Sequence, residues 1–115
     1  MTLQLDWLRG CATALVTPFT SDGAVDEKRL RELMEYQIAG GVRVLVPCGT
    51  TGESVTMSDD ENRLVIRTTV ELSRGRAKVC VESFLRGLVV IRSDGEHCID
   101  AGLARRSRAL DRDGR

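Results

Sequence analysis

The sequence predicts an α/β fold over residues 11–81, a parallel sheet with helical crossovers in the order β-α-β-α-β. Three observations predict it. Apolar runs stand at "CATALVTPF" (11–19), "VRVLVPC" (42–48) and "AKVCV" (77–81). Between them, Leu30, Leu33, Met34 and Ile38 recur at helical spacing, and so do Leu64, Val65, Thr68 and Leu72. The runs are separated by roughly 30 residues, the size of one βαβ unit.

Each element has its own local cause. "CATALVTPF" reads as a short buried strand ended by Pro18, and "SDGAVD" follows as a turn centred on Asp22-Gly23. The helix "DEKRLRELMEYQIAGG" opens on Asp26, whose carboxylate can accept orphan backbone N–H groups, and Glu27 suits the positive end of its dipole. Gly40-Gly41 stops it, because glycine accepts the left-handed conformation there. "VRVLVPC" is apolar on nearly both faces, as in a strand covered on both sides. The second helix, "SDDENRLVIRTTVELSRG", starts with a Ser58-x-x-Glu61 capping box and ends at Gly75. After Val81 one apolar run remains, Leu88 to Ile91, followed by an Arg-rich, Gly-interrupted end. There "AGLARRSRAL" forms at most a short, frayed helix.

Composition removes several function classes. The 115 residues carry 17 basic and 17 acidic side chains, a formal charge of +0. That balance argues against nucleic-acid binding through phosphate contacts. No apolar run reaches the roughly 18 to 20 residues of a membrane span, and "MTLQLDWLRG" lacks the apolar core of a secretory signal. A soluble cytoplasmic protein is expected. Cys11, Cys48, Cys80 and Cys98 show no CxxC spacing and read as small buried hydrophobes in a reducing compartment. His97 stands beside Cys98 and near Asp94 and Glu96, but without regular ligand spacing. No metal and no cofactor are expected.

The stretch that invites chemistry is "VLVPCGTTGESVT" (44–56). In a parallel βα architecture function collects at the carboxyl ends of strands, and Gly49-Thr50-Thr51-Gly52-Glu53 stands there after the second strand. Glycines admit close backbone approach, and successive N–H groups form a concave nest for an anion. Thr50 and Thr51 add hydroxyls that can bind a carboxylate or pass a proton. The competing reading is an ordinary βα turn whose Thr and Ser side chains cap orphan groups.

"TALVTPF", the Asp22-Gly23 turn and "GGVRVLVPCGTTGESVTMSDDE" together strongly resemble the N-terminal part of the dihydrodipicolinate synthase family. These are class I aldolase-type lyases that include N-acetylneuraminate lyase. The resemblance covers residues 10–76, and "CGTTGES" is closer to the synthase branch. It implies the N-terminal fragment of a (β/α)8 TIM barrel in residues 1–81. It also implies a lysine that forms a Schiff base with pyruvate, the enamine then adding to an aldehyde, aspartate semialdehyde in the synthase branch. By the same resemblance Thr50 belongs to a proton relay completed by two tyrosines. Thr50 and Thr51 bind the pyruvate carboxylate, with Gly49 and Gly52 shaping the turn. Glu53 and Ser54 match the motif as structural residues, Glu53 as a buttress that hydrogen-bonds nearby backbone. The partners so implied are pyruvate and an aldehyde, and a homo-oligomer or association with full-length family subunits.

The sequence also departs from the family. Glu82 and Ser83 stand where small residues are expected, and beyond about residue 80 nothing matches. The lysines are Lys28, on the outer face of the first helix, and Lys78, at the strand end opposite the turn. Tyr36 lies within the first helix. The Schiff-base lysine and both relay tyrosines therefore have no counterpart. Nine arginines follow residue 73, the composition expected of an out-of-frame reading near codon 77. The expectation is a truncated family member, inactive alone, whose residues 82–115 form a disordered non-family tail. An open remnant of a barrel leaves sheet faces and edges exposed, so marginal stability and association are expected. Three functions remain open: an enzyme fragment, an interaction module that pairs with another chain, and a small-anion binder using the turn alone.

Overall fold

A computed structural model describes residues 9–83 and 87–91. The elements in order are β1 (Ala12–Ala14), α1 (Glu27–Ala39), β2 (Val44–Val46), a 3-10 turn (Ser54–Thr56), α2 (Asp59–Ser73), β3 (Lys78–Ser83) and β4 (Gly87–Ile91). They form one sheet ordered β1-β2-β3-β4. The first three strands are parallel, with Ala12 opposite Val44, Ala14 opposite Val46, and Leu45 opposite Val79. The β-α-β-α-β alternation expected from the sequence is present. No helix among the described residues is long and apolar enough to cross a membrane.

Both helices begin as their sequences dictate. The Asp26 carboxylate accepts from the Arg29 N–H at 3.0 Å, and the Ser58 hydroxyl accepts from the Glu61 N–H at 3.2 Å. Each satisfies a donor that has no partner inside the helix. Helix α1 ends at Gly40 in a right-handed conformation, and the left-handed step falls on Gly41, at φ 97.

The core lies between the helices and one face of the sheet. Leu15, Leu30, Met34, Leu45, Cys48, Met57 and Val65 form it. Register places Thr13, Leu45 and Val79 on the helix-bearing face, and Ala12, Ala14, Val44 and Val46 on the other. Thr13 accordingly reaches α1, donating to Gln37 Oε1 at 3.0 Å. Helix α2 buries Val65 and Thr68 as its stripe requires, and also Thr69 and Ser73, while Leu64 and Leu72 are half-buried. Thr69 can enter the core because its hydroxyl returns to the Val65 carbonyl at 2.7 Å. Arg76 clasps Glu35 through two bonds of 2.8 and 2.7 Å, tying the end of α2 to α1, and this hydrogen bonding holds the Glu35 carboxyl below its usual range.

Three expectations are corrected. The strand at 11–19 is only Ala12–Ala14, with Leu15 still bonded to Val46 O at 2.9 Å. It is buried on one side alone: Cys11, Ala12, Ala14 and Val16 are exposed. The reason is position, since β1 is the sheet's edge and no described strand covers its outer side. Cys11 is therefore no core hydrophobe, whereas Cys48 and Cys80 are buried. Residues 82–83 and 87–91, assigned to an unstructured tail, extend β3 to Ser83 and form β4. This strand pairs antiparallel with β3 from Val79–Ile91 to Ser83–Gly87. A short connection permits a hairpin, whereas a parallel partner needs a crossover of a dozen or more residues. The possible helix at 101–110, the His97 cluster and Cys98 lie outside the described residues.

Candidate functional site

The turn after β2 is built from close backbone contacts. Strand β2 ends at buried Pro47, which has no N–H to continue a ladder. Cys48 then adopts a left-handed conformation, φ 56, and Glu53 does the same at φ 58. Non-glycine residues pay about 1–3 kcal/mol for sparsely populated backbone of this kind, so the surroundings must hold them. Between the two strained residues the chain folds back on itself. Gly52 N–H donates to Gly49 O at 3.1 Å, Glu53 N–H to Thr50 O at 3.1 Å, and Ser54 N–H to Gly49 O at 3.4 Å.

Gly52 is fixed by space. A Cβ there would lie 3.0 Å from the Leu15 carbonyl oxygen and 3.1 Å from the Cys48 nitrogen, both backbone atoms that cannot swing aside. The same glycine is gripped from β1's continuation, where the buried Thr17 hydroxyl donates to Gly52 O at 2.7 Å. The turn is thus pressed against the first strand's end and bonded to it.

Thr50 and Thr51 are exposed at the tip. Among the described residues, none accepts a hydrogen bond from their hydroxyls or backbone N–H groups. The geometry therefore presents donors on an ordered turn at the carboxyl end of a parallel strand. Gly49 and Gly52 flank them in the turn. The side chain of Glu53 does not act as the expected buttress. It is exposed and makes no capping bond, and the Glu53 main-chain carbonyl instead accepts from Thr56 Oγ1 at 2.8 Å. Ser54 contributes its carbonyl rather than its hydroxyl, accepting from Asn62 Nδ2 at 3.0 Å.

Two supporting residues escaped the sequence reading. Thr17 sits in "LVTPF" and was read only as part of a strand. Asn62 lies in the first turn of α2 between charged residues and looked like surface. Cys48 packs beneath the turn. Its thiol donates to Asn62 O at 3.6 Å, and burial pushes its pKa from 9.0 to about 11. Lys28 is exposed on the first turn of α1. Lys78 opens β3, its N–H bonded to Arg43 O at 2.8 Å, at the strand end remote from the turn.

The model of the Dihydrodipicolinate synthetase family matches residues 7–83. The chain belongs to this family. A 4-hydroxy-tetrahydrodipicolinate synthase of Sorangium cellulosum is 63% identical over 73 residues, covering 63% of this chain and 24% of the relative. Among solved structures, the chloride-inhibited dihydrodipicolinate synthase of Acinetobacter baumannii complexed with pyruvate aligns with a TM-score of 0.62. It is 37% identical, over 64% of this chain and 25% of that one. The N-acetylneuraminate lyase of Mycoplasma synoviae aligns at 0.65 and 26% identity, over 69% and 28%. The chain thus spans about a quarter of the length of the curated relatives it matches. The resemblance carried by "GTTGES" and its flanks is confirmed for the N-terminal part. The three parallel strands are consistent with a partial barrel.

Proposed function

We propose that residues 9–81 carry the carboxylate-binding and proton-relay arm of a pyruvate-dependent Schiff-base lyase of the 4-hydroxy-tetrahydrodipicolinate synthase type. The observation that carries the reading is the turn itself. Gly52 is packed tightly against the backbone of Leu15 and Cys48, and the turn it anchors holds the donors of Thr50 and Thr51 at the carboxyl end of β2. In this reading the N–H and hydroxyl groups of Thr50 and Thr51 receive the pyruvate carboxylate, and Thr50 relays a proton. The similar synthase of Acinetobacter baumannii, solved in complex with pyruvate, supports that ligand, and the resemblance of "CGTTGES" to the synthase branch points to aspartate semialdehyde as the aldehyde.

The 115 residues alone do not complete the reaction. Class I chemistry needs an amine that attacks the ketone, so that one hard step becomes two easier ones. The chain's lysines, Lys28 and Lys78, both stand away from the turn. Borohydride reduction in the presence of pyruvate tests this. No label on either lysine is expected, and a reduced adduct on Lys28 or Lys78 would overturn it.

A second reading is a non-catalytic module that pairs with a full-length family subunit or another chain. The exposed edge at β1, with Ala12, Ala14 and Val16 open on one side, favours it. Co-purification with a full-length family subunit tests it, and a chain that stays monomeric and unpartnered contradicts it. The wide spacing of Cys11, Cys48, Cys80 and Cys98, with no CxxC pair, supports a reducing, cytoplasmic setting. The Arg-rich composition after residue 73 supports a change of reading frame, which the other two frames of the gene would reveal as a family-like continuation.

A further inference from the structure

The Asn62 side chain gathers backbone from the whole closing side of the turn. Its Nδ2 lies 3.0 Å from Ser54 O, 3.1 Å from Ser58 O and 3.4 Å from Met57 O. The two amide protons serve the nearer pair directly, and Met57 shares one of them. Its main-chain carbonyl receives the Cys48 thiol at 3.6 Å, at the turn's opening side. Both ends of the strained segment, Cys48 and Ser54, therefore meet on one residue of α2. The Asn62 Oδ1 atom is buried and has no hydrogen-bond partner among the described residues. The three carbonyls around Nδ2 fix the amide's orientation even though Oδ1 goes unserved, because a flipped group would set its oxygen against them.

We propose that Asn62 is a positioning residue for the Thr50–Thr51 donors. Its carboxamide locks the Ser54–Ser58 carbonyls to the first turn of α2, so that Thr50 and Thr51 stay in their anion-binding arrangement. The inference rests on the carboxylate-binding reading for its functional consequence and on the hydrogen bonds for its structural one. Neither aspartate nor leucine can replace the group: aspartate turns oxygens toward carbonyls, and leucine removes the side-chain donor, leaving Ser58 O only the backbone N–H of residue 62.

Hydrogen exchange and pyruvate titration of the full 115-residue chain test it together. Asn62 is the single asparagine of the sequence, so its side-chain NH2 signal is assignable. That NH2 exchanges at least about tenfold more slowly than the NH2 of Gln37. In Asn62→Asp the amides of residues 52–57 exchange at least about tenfold faster, those of residues 65–72 less than about threefold faster, and the pyruvate Kd rises about tenfold. An unprotected Asn62 NH2, or an Asn62→Asp chain with unchanged exchange at 52–57, overturns the proposal. So does an unchanged pyruvate Kd in Asn62→Asp. If the variant does not fold, protection of the wild-type NH2 decides. A wild-type chain that binds no pyruvate sinks the carboxylate reading, while local loosening at 52–57 still upholds the role of Asn62 in holding the turn.

Discussion

The Thr17 hydroxyl donates to the Gly52 carbonyl across 35 residues of sequence, at 2.7 Å and in a buried setting. This bond joins the end of β1 to the turn after β2. Thr17→Val keeps the shape and removes the donor, leaving a buried carbonyl unserved. A loss of about 1–3 kcal/mol in urea unfolding is expected, together with weaker pyruvate binding.

Gly52→Ala tests close approach directly. The new methyl meets two backbone atoms at 3.0 and 3.1 Å, so the turn must move away from Leu15 and Cys48. Overpacking of this kind costs about 1–3 kcal/mol. Thermal melting should show the loss, and Gly52→Val should abolish anion binding outright.

Thr50→Ala separates binding from stability. Thr50 is exposed and bonds no described neighbour through its side chain, so stability should stay within about 0.5 kcal/mol of wild type. Pyruvate affinity should nevertheless fall. A variant that melts early but binds normally would show that Thr50 serves the fold instead.

The Cys48 thiol gives the chain an alkaline limit. Its pKa in the folded chain is raised by burial from 9.0 to about 11. The unfolded chain therefore releases this proton first as pH rises. Stability is unaffected by Cys48 below pH 9 and declines between pH 9 and 11. Replacing it in Cys48→Ala should flatten that part of the stability profile while lowering stability at neutral pH. Alkylation at pH 8 should label exposed Cys11 well before Cys48.

Much of the fold was legible because its causes are local. Asp26 and Ser58 announce the helix starts, Gly41 and Gly75 supply left-handed steps, and the apolar spacing of Leu30 and Met34 marks the buried face of α1. The turn was legible as a motif, since two glycines around two threonines after an apolar run have few other uses. What stayed hidden depends on contacts distant in sequence. Nothing near Thr17 shows that it meets Gly52, and nothing near Asn62 shows three converging carbonyls. Glu53 misled because its motif position suggests a side-chain role, whereas its φ of 58 gives the work to its carbonyl. Strand β4 was unforeseen because the family pattern stops near residue 80 and Leu88 to Ile91 is a lone apolar run, whose partner, antiparallel β3, is set by pairing rather than by its own sequence.

The carboxylate-binding turn is tested most directly by titrating pyruvate into the isotope-labelled chain and following its backbone amide resonances. Saturable shifts centred on Thr50, Thr51 and Gly52, absent in Gly52→Val, are predicted. Resonances that do not move, or that move equally in Gly52→Val, would contradict the account.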